Sequence, residues 1–184
     1  GDNSHLTFFE MIGRWDLKAN PVYFKKHQIE WIFEWQVDIL GLNPNHLYVT
    51  VFKGDPSVGI DRDDEAIQIW TELFKAKNID PKIEEDGEIY GTSRGGRIFL
   101  YDANENWWSR SGQPKNMPIG ELGGPDSEMF FDFEPNGDVM DHPASDTGRF
   151  LEIGNNVFMS YQKISENNFV ALDKPNIDYG GGLE

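Results

Sequence analysis

The chain has 184 residues, of which 38% are apolar and 14% aromatic, enough to build the core of one folded domain. Its formal net charge of −16 argues against binding nucleic acid through charge alone, because such binding needs clustered Lys and Arg. The sequence has no cysteine, which excludes disulfides and Cys-ligated metal sites. It also has no apolar run near the roughly 18 residues of a membrane span and no secretory signal pattern. We therefore expect a soluble, cytoplasmic protein without membrane partners.

The first part of the chain predicts a strand followed by a long helix. Residues 6–15 are rich in aromatic side chains and predict the strand. Apolar side chains recur with the 3.6-residue period over residues 21–40, where Pro21 suits the first turn and Gly41 the end of a helix. The predicted inward stripe of this helix consists of Val22, Ile29, Ile32, Phe33 and Leu40.

The middle of the chain predicts a second helix between short strands. Residues 47–52 predict a strand, and a helix begins at Asp61, where acidic side chains favour the positive end of the helix dipole. Turn signals within residues 82–101 indicate short strands there. A Gly/Pro-rich loop over residues 109–126 leads to an apolar strand at residues 128–133. The inward side chains of the second helix are Ile67, Trp70, Leu73 and Phe74.

The last part of the chain predicts a hairpin that ends in glycines. Residues 150–161 alternate between apolar and polar, residues 165–168 turn the chain, and residues 169–172 pair back. Asp178 then precedes three glycines, where the backbone either approaches a ligand closely or forms a loose turn after a strand. Strands that follow one another without helices between them favour antiparallel pairing. We predict an α+β fold in a single domain, with an antiparallel β-sheet flanked by helices.

The common catalytic motifs are absent from the sequence. It contains no GxxxxGK[ST] phosphate loop, no GxSxG elbow and no HExxH pattern. The adjacent Trp107 and Trp108 would point to opposite faces of a strand, so that one is buried while the other lines a site. Glu128 and Asp178 would suit a carbohydrate-active enzyme if their carboxyl groups lay about 5–10 Å apart.

Five short motifs, taken in order, resemble the catalytic domain of bacterial alanyl-tRNA synthetases, which are class II aminoacyl-tRNA synthetases. Each match is weak alone, but their shared order makes the resemblance specific, and it runs through nearly the whole chain. The class II fold that it implies is an antiparallel sheet flanked by helices. The motifs are HLTFFEMIG (residues 5–13, with YFK at 23–25), NWW (106–108), GGPDSEMFF (123–131), RFLEIGNNVFM (149–159) and DYGGGLE (178–184).

The resemblance implies that the enzyme makes alanyl-adenylate from alanine and ATP with Mg²⁺, then transfers alanine to the 3′ end of tRNA(Ala). Asp178 matches the carboxylate that holds the substrate ammonium, for which a charge-assisted hydrogen bond is well suited. Asn155 and Val157 match residues that line the alanine pocket, and strand alternation places both on one face. Trp108 matches the bulky wall that keeps this pocket small.

The resemblance also implies a nucleotide site. Phe9 matches an aromatic residue that stacks on adenine, and its strand also carries Thr7 and Glu10. Glu152 matches a candidate Mg²⁺ ligand, but simple alternation puts it on the face opposite to Asn155 unless a bulge intervenes. The expected ATP-binding residues are His5, Thr7, Phe9, Glu10 and Gly181.

Some parts of the family pattern have no counterpart here. Motif 1, the first strand of motif 2 with its arginine, and the arginine of motif 3 do not occur within residues 1–184. Because phosphoryl chemistry depends on preorganised cations, we expect a partial catalytic domain that is weak or inactive alone. The alternative is a fragment or paralogue that binds alanine or a nucleotide without catalysis. Without a neighbouring strand, residues 6–15 would form an exposed sheet edge that favours self-association.

Overall fold

The computed structural model describes residues 7–183, so His5 and Glu184 lie outside the described residues. No helix in this part of the chain is long and apolar enough to cross a membrane. The strands are β1 (Met11–Asp16), β2 (Leu47–Phe52), β3 (Ile83–Glu84), β4 (Ile98–Tyr101), β5 (Trp107–Ser109), β6 (Leu122–Asp132), β7 (Phe150–Ser165) and β8 (Asn168–Gly182). The α-helices are α1 (Phe24–Glu34), α2 (Asp64–Ala76) and α3 (Gly87–Tyr90).

The described strands form one sheet in the order β1-β8-β7-β6-β2-β4-β3, and β5 pairs with β6 beside this path. Pairing is antiparallel from β1 through β2. The two pairs that involve β4 are parallel, so the sheet is mixed at that end. The predicted α+β class is therefore confirmed, with a mainly antiparallel sheet. Parallel neighbours need a crossover connection, and α2 lies in the connection between β2 and β3.

Both long helices cover the same face of the sheet. Ile29, Ile32 and Phe33 of α1 are buried in one core cluster with Trp70 and Phe74 of α2. The Phe33 ring meets both of these α2 rings edge-on, with centroids 6.2 and 6.1 Å apart. The sheet contributes alternate residues to this cluster, among them Leu47, Val49, Val51, Met129, Phe158, Ile177 and Tyr179. We call the other side of the sheet the open face.

The long helix differs from the sequence prediction at both ends. It begins at Phe24 rather than at residue 21, and residues Trp35–Ile39 continue it as a π-helical turn. Val22 and Leu40 are exposed, so the inward stripe is shorter than predicted. A π-turn shifts the helical phase, which explains why the 3.6-residue period fails to place Leu40. Gly41 ends the segment with a φ of +77°, as expected.

The predicted strands form, but several have different limits. β1 begins at Met11 instead of residue 6, and β6 begins at Leu122, inside the predicted loop. β8 runs on past the predicted residues 169–172 and includes all three glycines. Gly180–Gly182 pair with Gly13, Ile12 and Met11 of β1, so they neither turn the chain nor end the strand loosely. Pairing with β1 supplies hydrogen bonds that local sequence patterns cannot reveal.

A buried ion pair joins the two long helices. Lys25 Nζ lies 2.6 Å from Asp63 Oδ1, and the two side chains are only 8% and 3% exposed. The same Asp63 oxygen accepts from the Ala66 backbone N–H and caps the start of α2 at 3.1 Å. The second helix therefore begins at Asp64, three residues later than predicted, because Asp63 is its cap.

Lys25→Met is expected to lower the free energy of unfolding by about 3–5 kcal/mol, because it leaves the Asp63 carboxylate buried without its cation. Urea denaturation monitored by circular dichroism measures this change. Lys26→Met is the matched control, since the Lys26 side chain is 51% exposed, and it should change stability by less than about 0.5 kcal/mol. Equal effects of the two substitutions would contradict a stabilising role for the pair.

Candidate functional site

Two rows of cross-strand neighbours build a patch on the open face. Residues paired across antiparallel strands project to the same side of the sheet. The first row is Trp15, Asp178, Val157 and Asp126, and the second row is Gly13, Gly180, Asn155 and Glu128. We call these eight residues the carboxyl patch, because three of them are acids. The Trp15 ring lies against Gly13, and the end of the Met11 side chain lies beside Gly180.

Hydrogen bonds fix the acidic end of the carboxyl patch. Asn106 Nδ2 donates to Thr50 Oγ1 at 2.7 Å and to Asp126 Oδ1 at 3.1 Å. Thr50 Oγ1 lies 3.3 Å from Glu128 Oε2. Asn155 Nδ2 donates to Asp126 Oδ2 at 3.4 Å and to Glu128 Oε1 at 3.5 Å. One network thus joins side chains from β2, β6, β7 and the residue before β5.

Burial changes the ionisation of the two acids in this network. Asp126 is only 3% exposed, and this burial raises its pKa to about 7. Burial, followed by the charges of Asp126 and Glu152, raises the pKa of Glu128 to about 9. With these pKa values, Glu128 is largely protonated at neutral pH and Asp126 is partly protonated. Near pH 7 the carboxyl patch therefore carries less negative charge than its three acids would suggest.

The two tryptophans of β5 have different environments, as their alternation predicts. Trp107 is buried against Phe52, Tyr161 and Phe169, with ring centroids 5.6, 6.1 and 5.8 Å away. Trp108 is 39% exposed and pairs with Gly124 of β6. Three strand spacings, about 14 Å, separate β5 from β8. Trp108 thus borders the site from β5, while Asp178 lies on β8, at the opposite side.

A β-bulge in β7 decides the position of Glu152. Met129 pairs with Gly154, but the next residue, Phe130, pairs with Glu152, so Ile153 is the extra residue. Glu152 therefore shares the open face with Asn155, which simple alternation did not predict. The side chain is exposed. Within residues 7–183, no group of three acidic or histidine side chains converges to hold a metal ion.

A cavity of about 570 Å³ opens at the end of the sheet where β8 finishes. Its lining includes three of the residues expected to serve the nucleotide, Phe9, Gly181 and Glu152, together with Trp35 and Gly180. Gly180 also belongs to the carboxyl patch, but Trp35, Phe131 and Ile153 in the lining place most of the cavity on the helix side of the sheet. A volume of this size lies in the range of small-molecule sites, roughly 300–1,000 Å³.

Two of the other residues expected to bind ATP do not line the cavity. Thr7 and Glu10 are exposed and precede β1, and neither is part of the cavity lining. The Glu10 carbonyl accepts from the Leu183 N–H at 2.8 Å, which continues the pairing of the two chain segments beyond β1. His5 lies outside the described residues. The cavity therefore gathers only part of the expected set.

The sequence interpretation missed Thr50 and Asn106 as parts of the site. Thr50 is the only polar residue in the apolar run LYVTVF, and Asn106 directly precedes the two tryptophans. A lone polar residue in a buried strand needs a hydrogen-bond partner, which is the signal that could have identified Thr50. Its partners come from distant parts of the chain, and the sequence gives no means to name them.

These features of fold and site agree with the family that the chain matches. The model of the family described as tRNA synthetases class II (A) matches residues 1–184. The chain belongs to this family. Membership in this family argues against the hypothesis that Glu128 and Asp178 serve a carbohydrate-active enzyme.

The similar curated proteins carry a more specific name. The alanine–tRNA ligase of Treponema pallidum is 39% identical over 189 aligned residues, which include all of this chain and 26% of that protein. The alanine–tRNA ligases of Rubrobacter xylanophilus and Bacteroides fragilis are 34% and 33% identical, and the chain covers 19% and 18% of them. The chain thus spans about a quarter or less of the length of these relatives.

The raised pKa values of Asp126 and Glu128 predict a loss of stability with rising pH. Unfolding returns both groups to ordinary pKa values near 4, so the folded state holds more protons between about pH 4 and pH 9. The free energy of unfolding should therefore fall across this range, by at most about 1.4 kcal/mol per pH unit for each group.

Urea denaturation between pH 5 and pH 9 measures this slope. Asp126→Asn and Glu128→Gln should each flatten it, since their neutral side chains cannot titrate. Glu121→Gln changes a carboxyl group outside the patch and should show the same pH dependence of the free energy of unfolding as the parent protein. A slope that is unchanged in both patch variants would show that these acids ionise normally.

Proposed function

We propose that this chain contributes the amino-acid and nucleotide sites of an enzyme that activates alanine with ATP and transfers it to tRNA(Ala). The observation that carries the proposal is the shared open face of Asp178, Val157 and Asn155, next to a cavity at Gly180. In the activation step, a carboxylate oxygen of alanine attacks the α-phosphorus of ATP, and pyrophosphate leaves. The two substrates must therefore meet, and Gly180, which belongs to the patch and lines the cavity, is the proposed meeting point.

The carboxyl patch suits a small amino acid. Asp178 offers a carboxylate to the substrate ammonium, and such charge-assisted hydrogen bonds are among the stronger polar contacts in proteins. Val157 lies directly opposite Asp178 and offers an apolar contact for one methyl group. Trp108 is proposed to close the pocket from β5 against larger side chains. One methylene group changes binding by only about 1–3 kcal/mol, so a bulky wall adds to the discrimination.

The cavity at the end of β8 is the proposed ATP site. Phe9 offers a ring for adenine to stack on, and Gly181 lines the same cavity, with Tyr179 in the space that a side chain at Gly181 would take. Thr7, Glu10 and His5 are proposed to contact the nucleotide from the segment before β1. Glu152 would be a single protein ligand for Mg²⁺, which usually binds through one or two carboxylates together with substrate phosphates.

The wider functional setting is also a proposal. We propose that residues 1–184 are part of a larger catalytic domain, which is consistent with the share of the relatives that they span. Recognition of tRNA(Ala) belongs to the whole enzyme, and the cytoplasmic location stays a prediction. The activity of this chain by itself is expected to be weak.

Asp178→Asn is expected to weaken alanine binding roughly tenfold to a hundredfold, because it removes the charge from the contact to the ammonium. Isothermal titration calorimetry with alanine measures this change, and titration with ATP should give an unchanged affinity. Alanine-dependent ATP–pyrophosphate exchange, measured on the same proteins, tests the activation step itself and should fall by at least as much as binding.

Asp173→Asn is the matched control, because Asp173 lies on the same strand and is exposed. It should bind alanine like the parent chain. Alanine binding without any pyrophosphate exchange, in this chain and in a longer form of the enzyme, would favour the non-catalytic alternative. Alanine binding that is identical in all three proteins would overturn the assignment of Asp178.

We also propose that β1 mediates self-association through its free edge. Among the described strands, β1 pairs only with β8, and Met11 and Trp15 on it are 62% and 69% exposed. An unpaired edge with apolar side chains is a template for strand pairing between copies. Light scattering should therefore show dimers at concentrations of tens of micromolar or more, and Trp15→Lys should return the protein to monomers. A monomeric parent chain would refute this proposal.

A further inference from the structure

The Asn155 side-chain amide faces two acids. Its nitrogen has two hydrogens, and the two acceptors in reach are Asp126 Oδ2 and Glu128 Oε1, at 3.4 and 3.5 Å. Its oxygen is buried and has no hydrogen-bond partner among the described residues. An unpaired buried oxygen is unfavourable, so a donor that binds there forms a hydrogen bond that the free protein lacks.

The two acids are themselves held in place. Asn106 is fully buried and donates both to Asp126, at 3.1 Å, and to Thr50, at 2.7 Å. The Glu128 backbone N–H donates to Thr50 Oγ1 at 3.3 Å, and Glu128 Oε2 lies at the same distance from this hydroxyl. The acceptors for Asn155 therefore do not depend on flexible side chains at the surface.

The opposite orientation of the amide is unfavourable. A half-turn would place the Asn155 oxygen against Asp126 and Glu128, where oxygen faces oxygen. Thr50 Oγ1 accepts from Asn106 Nδ2 and from the Glu128 N–H, so its own hydrogen points to Glu128 Oε2, and Oε1 faces the Asn155 nitrogen.

Asn155 lies diagonally across from Asp178 on the open face. Asn155 pairs with Gly180, two residues beyond Asp178 on β8. Diagonal neighbours of this kind have Cβ atoms about 7–8 Å apart, a separation that an ammonium group accepted by both side chains would bridge. An ammonium carries three N–H donors, so it can donate to a second acceptor besides the Asp178 carboxylate.

On the basis of the alanine-binding function proposed above, we propose that Asp126 and Glu128 are positioning residues that turn the oxygen of the Asn155 amide toward the substrate ammonium. Asn155 and Asp178 then accept from the same amino group. Neither Asp126 nor Glu128 contacts the substrate in this arrangement. The patch thereby selects an amine through two acceptors, one charged and one neutral.

Calorimetry with three ligands tests the proposal in the full chain. Alanine has both an ammonium and a carboxylate, alaninamide keeps only the ammonium, and propionate keeps only the carboxylate. Asp126→Leu and Glu128→Leu remove an acceptor for Asn155, so each should weaken alanine and alaninamide roughly tenfold and should not weaken propionate. Glu128→Gln retains an acceptor oxygen for Asn155 and should stay within about threefold of the parent.

Two further comparisons separate positioning from general damage. In an Asn155→Ala background, Asp126→Leu should cause no additional loss, because residues that act through one another are not additive. Glu105→Gln changes an exposed carboxylate near the pair and should bind all three ligands normally. Near-UV circular dichroism checks the fold of each variant, and Glu128→Leu carries the test if Asp126→Leu does not fold.

The orientation has a readout that needs no ligand. The side-chain NH₂ signals of Asn155, assigned by their loss in Asn155→Ala, should exchange slowly with solvent in the parent chain and faster in the leucine variants. Fast exchange in the parent chain would overturn the inference. So would unchanged alaninamide affinity in the leucine variants, or equal losses for alaninamide and propionate.

The same measurements distinguish this inference from the proposed function. If alanine does not bind the parent chain, and Asp178→Asn changes nothing, the alanine-binding function fails, while the NH₂ exchange rates still decide the orientation. If Asp178→Asn abolishes binding and the leucine variants bind normally, the function stands and the positioning role fails.

Discussion

The pairing of β7 with β8 is the constraint on which the whole site depends. Val157 opposite Asp178, and Asn155 opposite Gly180, place an apolar contact, an amide and a carboxylate beside one another. A slip of one residue would move every one of these side chains to the other face, because the side-chain period of a strand is two. The alignment of these two strands is therefore a chemical requirement as well as a structural one.

The residues between the site residues help to keep this alignment. Asn156 faces the helices, where it accepts from Gln28 of α1 and donates to the Ser127 carbonyl, both at 3.0 Å. Trp70 of α2 donates to the Ser127 hydroxyl at 2.8 Å. These polar groups are buried, so a shifted pairing would leave them without partners. The hydrogen bonds on the helix side of the sheet thus stabilise the register that places the site residues on the open face.

Much of this arrangement follows from local patterns. Alternation in residues 150–161 correctly indicates that Asn155 and Val157 share a face, and it correctly separates Trp107 from Trp108. It fails for Glu152, because a bulge is set by pairing with β6 and leaves no mark in β7 alone. The glycines after Asp178 show the same limit, since their extended form depends on β1, about 170 residues earlier.

The hydrogen-bond network beside the carboxyl patch also cannot be predicted from local sequence patterns. Thr50, Asn106 and Asp126 are far apart in the chain and meet only after β2, β5 and β6 have paired. Single residues of this kind carry no periodic signal. Resemblance to a family suggested the roles proposed for Asp178 and Asn155, but only the folded structure shows the contacts of Asn155 with Asp126 and Glu128.

The composition of the patch has an electrostatic consequence. Its two rows contain no lysine or arginine to attract an anion, and even with Glu128 protonated the chain as a whole is strongly acidic. A polyphosphate that approaches this face meets repulsion unless counter-ions accompany it. Added salt screens such repulsion over distances near 10 Å at 0.1 M. Association of a nucleotide with this surface should therefore become faster as ionic strength rises, the reverse of the behaviour of a basic phosphate-binding groove.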